Sequence, residues 1–419
     1  TSRKAVTVYD GRLSGLPPYL SRMIPARLPY WFELYPEKKL LFLQFNAVTD
    51  WDKAPFGEFT KTLFKAYDDN IKDIDRFVID LRFNEGGNGY LLPPFVREFV
   101  ARRDSLSRGR LFLITGRRTF SAAPNLIGQM LKHTSAITVG DVATGPLTWC
   151  SDTLDFRLPH SRLYVQISSM FWMEGHPMDT RGCYPPEVFV PETFQDLATL
   201  RDAPLEAVLS GEARPLKDIL LEQGWAAFKA EFDRRAARYP DVETWFPYTH
   251  FDLIMAAYFN LLPSGKKADA LELLKFNAAF YPAEMRSWYG LAEVAKDIGE
   301  TDLAIGAYER LLKMEPQIGD AAPSYRSLLL LKSFRDGGVK GLAAEFRRMM
   351  AAYPGELNEH TLNAFGYDLF QKGRVHDAVD VFSLNVELFP DYAIGYDSHV
   401  LGIAAPRYWR GNDVYGNRP

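Results

Sequence analysis

The sequence predicts an α/β domain with a mostly parallel sheet, followed by an all-α domain built from helical repeats. Before about residue 205, short apolar runs bounded by Gly, Pro and Asn alternate with helical patterns, as in parallel sheets with helical crossovers. After that point the chain is rich in Ala, Leu, Lys, Glu and Arg at helical spacing. A proline also recurs there at a nearly constant interval, which is typical of repeat proteins.

Length and composition exclude several classes of protein. The 419 residues suffice for two or three domains. With 49 Lys and Arg against 53 Asp and Glu, the net charge is −4, which argues against a dedicated nucleic-acid binder. No run approaches 18 uncharged apolar residues, so no membrane span is predicted. Two cysteines exclude a disulfide scaffold and a multi-cysteine zinc site, whereas pairing of Cys150 with Cys183 stays open.

The first half of the chain contains the predicted elements of the sheet. Four apolar runs are interpreted as buried strands, at residues 40–48, 75–83, 110–115 and 136–141. Helical patterns occupy residues 56–71 and 93–103, and a further helix starts within 202–211. Residues 154–172 are rich in β-formers and predict a hairpin. Residues 1–36 are interpreted as an extended lead-in whose aromatic side chains pack rather than line a groove.

The second half contains four copies of one pattern, each ending at a proline. The prolines are Pro282, Pro316, Pro354 and Pro390. Upstream of each come a Gly, then a small or apolar residue, then a large apolar residue. These three sets are Gly265, Gly299, Gly337 and Gly373, then Ala270, Ala304, Leu342 and Ala378, then Leu274, Tyr308, Phe346 and Phe382.

Each position of this pattern has a physical reason in a helical hairpin. The Gly ends the first helix where a positive φ is needed, the small residue allows close approach, and the large residue fills the gap between helices. The Pro ends the second helix. Residues 250–396 therefore resemble tetratricopeptide repeats.

Two segments of the first half contain candidate functional residues. In DRFVIDLRFNEGGNG (residues 75–89), a strand leads into a Gly-rich turn whose N–H groups could hold an anion or an oxyanion. The alternative is an ordinary tight turn. In RLFLITGRRTFSAAPNLIGQMLK (residues 110–132), Ser121 lies where a helix begins. It is either an N-cap or a nucleophile open to a carbonyl.

Together the two segments resemble the S41 serine peptidases, which include the tail-specific proteases and the core of tricorn protease. The likeness covers residues 38–210 and continues through ITVGDVATG, FRLPHSRLYVQIS and GCYPPEVFVPETF. It implies a crotonase-like (ClpP/crotonase) α/β fold. It also implies that Ser121 is the nucleophile, and that the N–H of Ala122 and that of Gly86 or Gly87 form the oxyanion hole.

The base that activates the serine is not identified by this resemblance. In the tail-specific branch it is a Lys, and Pro146 occupies that position here. The tricorn-like branch uses an upstream His supported by a carboxylate, for which Asp179 is the candidate and Glu174 the second choice. All seven His follow Ser121, so this scheme places the base before Thr1. His176 is a substitute candidate, whereas Lys132 has no support from the pattern.

The expected organisation has four parts: a lead-in over residues 1–37, a peptidase-like catalytic domain over 38–211, a helical linker over 212–249 and a repeat domain over 250–419. The resemblance implies a serine endopeptidase that acts on peptides or proteins through an acyl-enzyme. The sequence has no H-E-x-x-H pattern and no Cys cluster, so no metal or cofactor is expected. The alternative is an inactive peptidase fold that serves as a scaffold. The repeats imply a protein partner, and a homo-oligomer is also open. An exported bacterial protein, periplasmic or extracellular, is expected.

Overall fold

The protein consists of two compact units, Thr1–Asp252 and Leu253–Pro419. The computed structural model describes residues 28–177, 179, 181–392, 394–395 and 398. Most of the predicted lead-in, residues 1–27, therefore lies outside the described residues. Within the described parts of the chain, no helix combines the length and the apolar character needed to cross a membrane.

The first unit is built on a six-stranded sheet. Its strands are β1 (Tyr30–Tyr35), β2 (Leu40–Phe45), β3 (Arg76–Asp80), β4 (Leu111–Thr115), β5 (Ile137–Gly140) and β8 (Val188–Phe189). They lie in the order β1-β2-β3-β4-β5-β8, with β1 antiparallel to β2 and all other neighbours parallel. Strands β6 (Thr148–Arg157) and β7 (Tyr164–Met173) form a separate two-stranded hairpin. The predicted mixed α/β domain with a mostly parallel sheet is thus confirmed.

The helices of this unit follow the strands as crossovers or close the chain after β8. They are α1 (Phe56–Asp69), α2 (Leu92–Ala101), α3 (Ala122–His133), α4 (Phe194–Ala198), α5 (Ala203–Ser210), α6 (Leu216–Gln223), α7 (Trp225–Arg238), α8 (Val242–Trp245) and the start of α9 (His250–Ala256). Short 3-10 turns cover Pro36–Lys38, Ile71–Asp73 and Gly89–Leu91. The predicted helices therefore occur, with ends shifted by one or two residues.

Both faces of the sheet are covered, which explains why its strands are continuous apolar runs. Side chains of β2 alternate: Leu41 and Leu43 join the core beneath α1, α2 and α3, whereas Leu40 and Phe42 join the core beneath α5. The parallel strands all end at one edge of the sheet. The loops that follow β3, β4 and β5 consequently meet there.

Strand β1 was not predicted from the sequence. Only an extended lead-in was expected in this part of the chain. Tyr30 and Phe32 pack in one core layer and Trp31 in the other, and all three are buried. The expectation that these aromatic residues pack rather than line a groove is met for this part of the segment.

The second unit is helical. It comprises the rest of α9, a π-helical turn (Ala257–Leu261), α10 (Lys267–Phe280), α11 (Met285–Ile298), α12 (Thr301–Met314), α13 (Ala321–Ala352), α14 (Glu359–Gln371) and α15 (Val375–Leu388). Helix α13 is kinked at Gly338, where φ is 59° and ψ is −152°, so it contains both helices of one hairpin. A helical domain after the α/β domain is thus confirmed.

The repeat pattern agrees with the structure at all but one position. Gly265, Gly299 and Gly373 have positive φ, as predicted. In the third copy the positive φ falls on Gly338 instead of the predicted Gly337, because this repeat is longer and its two helices are nearly continuous. The predicted small and large contact residues are fully buried, as in Ala304 and Tyr308 of α12.

Candidate active site

The Gly-rich loop after β3 is held by the amide side chain of Asn84. Its Nδ2 donates to the carbonyl of Phe45 at 2.9 Å, and its Oδ1 accepts from the N–H of Gly86 at 2.9 Å. The backbone carbonyl of Asn84 accepts from the N–H of Phe120 at 2.9 Å. Because Asn84 is fully buried, these bonds are shielded from water and tie the loop both to β2 and to the turn that follows β4.

The two glycines of this loop occupy positions that no other residue could fill. Gly86 has φ 103° and Gly87 has φ 134°. The segment lies against Val48, whose N–H donates to the carbonyl of Gly86 at 2.8 Å. A Cβ on Gly87 would lie 2.1 Å from the carbonyl oxygen of Val48. The backbone thus approaches its neighbour too closely for a side chain.

The turn after β4 carries Ser121 in a strained conformation. Its φ of 60° and ψ of −121° lie outside the regions that residues with a Cβ normally occupy. The turn is fixed by the buried Thr119, whose hydroxyl donates to the carbonyl of Leu81 at 2.8 Å and accepts from the N–H of Gly116 at 3.0 Å. These hydrogen bonds tie the turn to the end of the adjacent strand and so keep Ser121 in its strained conformation.

Ser121 precedes α3, but its side chain does not cap that helix. The hydroxyl makes no hydrogen bond to the helix N-terminus, and no other described residue bonds to it. The side chain is half-buried. The N-cap alternative therefore does not explain this serine, whose hydroxyl is left available.

The structure brings Ser121, Gly86 and Ala122 into contact. A Cβ placed on Gly86 would lie 2.3 Å from the Cβ of Ser121, 2.8 Å from its Oγ and 2.9 Å from the nitrogen of Ala122. The residues predicted from two separate segments thus meet at one edge of the sheet, since β3 and β4 are parallel neighbours.

The N–H groups here differ in their availability. That of Gly86 already donates to Asn84 Oδ1, whereas those of Gly87 and Ala122 have no acceptor among the described residues. The first N–H groups of a helix have no partner within the helix and favour negative charge. The N–H groups of Gly87 and Ala122 are consequently available to an oxyanion. Gly86, which has no side chain, allows the loop to lie close to Ser121.

The loop after β5 forms another wall of the site. The N–H of Thr144 donates to the carbonyl of Thr119 at 3.1 Å. A Cβ on Gly145 would lie 3.6 Å from the nitrogen of Ser121 and 2.9 Å from Pro124. Pro146, which stands where the tail-specific branch has its Lys, follows directly. The carboxylate of this loop, Asp141, accepts hydrogen bonds from Arg117 and from the N–H of Val142, and no hydrogen bond joins it to Ser121 among the described residues.

Asp179 is held by Arg181. The guanidinium donates through Nε at 2.8 Å and Nη2 at 2.7 Å, and its Nη1 donates to the carbonyl of Pro247. Burial on its own would lower the pKa of Arg181, but the hydrogen bonds and charge of Asp179 outweigh it and raise that pKa. Asp179 makes no hydrogen bond with Ser121 in the described residues, and both of its carboxylate oxygens accept from Arg181 instead.

The other candidates for acid–base roles lie toward the far end of α3. Glu174 accepts from Lys132 Nζ and from Gln129, each at 3.0 Å, and His176 stacks on Phe251 with ring centroids 4.4 Å apart. Lys132 lies three helical turns beyond Ser121, about 16 Å along the axis at 1.5 Å per residue. That distance exceeds the reach of a lysine side chain, in agreement with the sequence interpretation of Lys132.

Aromatic residues that the sequence analysis did not single out border the site. The ring of Phe120, which is 41% exposed, lies 5.4 Å from that of Trp149. Trp149 donates to the buried Asn125 at 3.3 Å and is the cross-strand partner of Trp172, whose ring contacts Gly89. The predicted hairpin began at residue 154, and extending it back to Trp149 would have revealed this wall.

Two further sequence questions concern cysteines and metals. Cys150 and Cys183 are both free thiols, so the disulfide that the sequence left open does not form. Among the residues that the structure describes, no group of three or more His, Cys, Asp or Glu side chains could hold a metal ion.

No protein-family model and no curated protein matches the sequence. Among solved structures, 43% of the chain is similar to 64% of a protein from Parabacteroides merdae designated a peptidase, with 14% identity and a TM-score of 0.33. A protein from Bacteroides fragilis designated an S41 protease is matched over 42% of this chain and 54% of its own, with 16% identity and a TM-score of 0.31. The chain thus spans less than two thirds of either protein.

A third solved structure is a tetratricopeptide repeat protein from Parabacteroides merdae. It is matched over 44% of this chain and 68% of its own, with 14% identity and a TM-score of 0.24. The structural neighbours therefore include both peptidases and repeat proteins.

Proposed function

We propose that the α/β unit is a crotonase-like serine peptidase domain of the S41 type, with Ser121 as its nucleophile. The observation that carries the proposal is the hydroxyl of Ser121. This hydroxyl makes no hydrogen bond with any described residue, and Ser121 itself has a positive φ and lies against the backbone of Gly86. Strained positions of this kind persist where the surrounding structure enforces them, and they concentrate at active sites.

The proposed reaction is acyl transfer. The Oγ of Ser121 attacks the peptide carbonyl carbon, its proton passes to a base, and the resulting oxyanion accepts hydrogen bonds from Ala122 and Gly87. The C–N bond then breaks, and the departing amine takes up the proton. Water hydrolyses the acyl-enzyme in the same way. Loss of one donor from such a hole typically slows the reaction on the order of 10²–10³-fold.

We propose that the base belongs to a segment that precedes Thr1 in the natural protein. No titratable side chain of the described residues is hydrogen-bonded to Ser121, and every His of the chain follows it. Asp179 is engaged by Arg181, so it can support a base only if that ion pair opens. The proposal therefore rests on Ser121 and the two N–H donors and does not require Asp179.

The aromatic wall points to the kind of substrate. Phe120 precedes the nucleophile, and together with Trp149 it presents a partly exposed apolar surface beside it. We propose that a peptide with an apolar or aromatic side chain next to the scissile bond is preferred. Trp149→Ala should then reduce cleavage after such side chains more than cleavage after small ones.

Labelling of the serine tests the proposal. The longest natural form, including residues before Thr1, is treated with a fluorophosphonate probe and assayed on unfolded casein. Wild type should be labelled and active, Ser121→Ala should lose both properties, and Ser107→Ala, which changes an exposed serine, should keep both. Labelling that persists in Ser121→Ala would refute Ser121 as the nucleophile.

A second candidate function is that of a non-catalytic scaffold. Pro146 in the lysine position and the Arg181–Asp179 ion pair favour it, since both remove groups that a peptidase of this type would use. The helical repeats would then bind a protein partner. Absence of both labelling and hydrolysis in the longest natural form would favour this function over the first.

A further inference from the structure

The β6–β7 hairpin exposes an unusual amount of apolar surface. Its outer half carries six large apolar side chains that are between 37% and 64% exposed. They are Leu154, Phe156, Leu158, Leu163, Val165 and Ile167, here called the apolar face. Soluble proteins rarely leave a patch of this kind uncovered unless it binds something.

The six side chains lie on one side of the ribbon. Leu154 is the cross-strand partner of Ile167, and Phe156 that of Val165. Side chains alternate between the two sides of a strand, so residues two apart share a side. Leu158 and Leu163, joined by a backbone hydrogen bond of 2.9 Å, continue the same series beyond the strands.

In the outer half of the hairpin, the opposite side carries mainly polar pairs. Thr153 pairs with Ser168, and Asp155 accepts a hydrogen bond from its partner Gln166 at 2.9 Å. Arg157 lies over the ring of Tyr164, 5.6 Å from its centroid. By strand alternation, the charged residues Asp155 and Arg157 of the outer strands thus lie on the side away from the apolar face.

We infer that the apolar face binds the same face of a second copy of this chain. An isologous two-fold contact brings a patch against itself, which requires an uncharged, self-complementary surface. Phe171 and Met173, farther along β7, are 60% and 50% exposed. Together with the six side chains of the apolar face they expose roughly 750 Å². Two copies would bury about 1,500 Å², within the range of stable interfaces.

The stability of the hairpin supports the same inference. A two-stranded ribbon is marginal on its own in water, and three or more strands or a packed face are needed for independent stability. Among the strands of the described residues, β6 and β7 pair only with each other. Packing against a second copy would cover one side of each ribbon and give both a core.

The oligomeric state of the full chain tests the inference without relying on peptidase activity. Sedimentation velocity at several micromolar concentrations is measured for wild type and for the double variant Leu154→Glu/Ile167→Glu. The matched control is Thr153→Glu/Ser168→Glu, which places the same charges one residue away on the polar side. Far-UV circular dichroism confirms that each variant is folded.

Wild type and the control should be dimers, and the Leu154→Glu/Ile167→Glu variant should be a monomer. Phe156→Glu should have the same effect should the double variant fail to fold. A monomeric wild type would overturn the inference and would indicate that another molecule, such as a substrate protein or a lipid, covers the face. A dimer that persists in a folded Leu154→Glu/Ile167→Glu or Phe156→Glu variant would overturn it as well.

Discussion

Arg82 and Asp202 form a buried two-bond ion pair that joins the end of β3 to the start of α5. Nη1 and Nη2 of Arg82 each lie 3.0 Å from a carboxylate oxygen of Asp202, and both side chains are at most 5% exposed. Arg82 also binds Asp80 and Glu192. Burial would lower the pKa of Arg82, but the charges and hydrogen bonds of Asp202 and Asp80 outweigh burial and raise that pKa.

This ion pair stabilises the strand ends that carry the candidate site. Arg82 lies between Asp80 at the strand end and Asn84 in the Gly-rich loop, and its side chain contacts Gly116 at the end of β4. The closing helix α5 is thereby fixed to the two strand ends that carry Gly86 and Ser121.

Removing one partner of this pair should be costly. Asp202→Ala leaves a buried guanidinium with fewer counter-charges, and breaking a buried ion pair typically costs about 3–5 kcal/mol. Urea unfolding should show a loss of this size. Glu206 lies on α5 and forms an exposed ion pair with Arg201. Glu206→Ala should change the free energy of unfolding by less than about 1 kcal/mol. Equal losses in the two variants would contradict the role assigned to Asp202.

Gly86 and Gly89 offer a matched test of the site. A Cβ on Gly86 would collide with Ser121 and reach the nitrogen of Ala122, whereas one on Gly89 would make an ordinary 3.6 Å contact with Trp172. Gly86→Ala should therefore abolish fluorophosphonate labelling of Ser121, because the side chain and the helix start must move. Gly89→Ala should retain most of it. Normal labelling of Gly86→Ala would show that the close contact is unimportant.

Much of this site could be predicted because its residues carry local signals. Successive glycines after a buried strand, and a serine between a strand and a helix, each imply a special backbone conformation. Parallel pairing of β3 and β4 then brings the two together. The repeat positions were predictable for the same reason, since Gly299 and Ala304 each have one physical requirement.

Other features depend on side chains that meet only in the folded chain. Nothing local indicates that Arg181 would bind Asp179, that Asn84 would take the N–H of Gly86, or that Trp149 would lie beside Phe120. Similarly, Gly337 and Gly338 are adjacent, and only the path of the long helix α13 decides which one takes the positive φ.

Glu231 should make stability depend on pH. Burial would raise its pKa, but hydrogen bonds from Arg234 and Arg235 outweigh that and lower it. A carboxylate whose pKa is lowered by folding stabilises above its unfolded pKa, and that contribution fades as the pH falls through the folded pKa. Glu231→Gln should therefore lower the urea midpoint at pH 7, with the difference from wild type shrinking below about pH 4.3.

The control for Glu231 is Glu37→Gln, which changes an exposed carboxylate in the 3-10 turn before β2. It should leave the urea midpoint nearly unchanged at pH 7 and at acid pH. A difference between Glu231→Gln and wild type that stayed constant down to low pH would mean that packing, and not the ion pair, is responsible.

Substitution by alanine at two glycines of the repeat unit should change the free energy of unfolding in opposite directions. Gly366 lies inside α14, where a Cβ would come within 2.4 Å of the buried ring of Phe382. Gly306 lies inside α12 on an exposed side, with no atom within 4 Å of a Cβ. Gly366→Ala should therefore destabilise the unit by about 1–3 kcal/mol through overpacking, while Gly306→Ala should stabilise it by about 0.5–1 kcal/mol.

Thermal unfolding followed by far-UV circular dichroism measures both changes. Alanine raises intrinsic helix propensity equally at the two positions, so the difference between the variants isolates the contact with Phe382. If Gly366→Ala were as stable as Gly306→Ala, helices α14 and α15 would have to be separated by more than the structure shows, and the close approach inferred for this hairpin would be wrong.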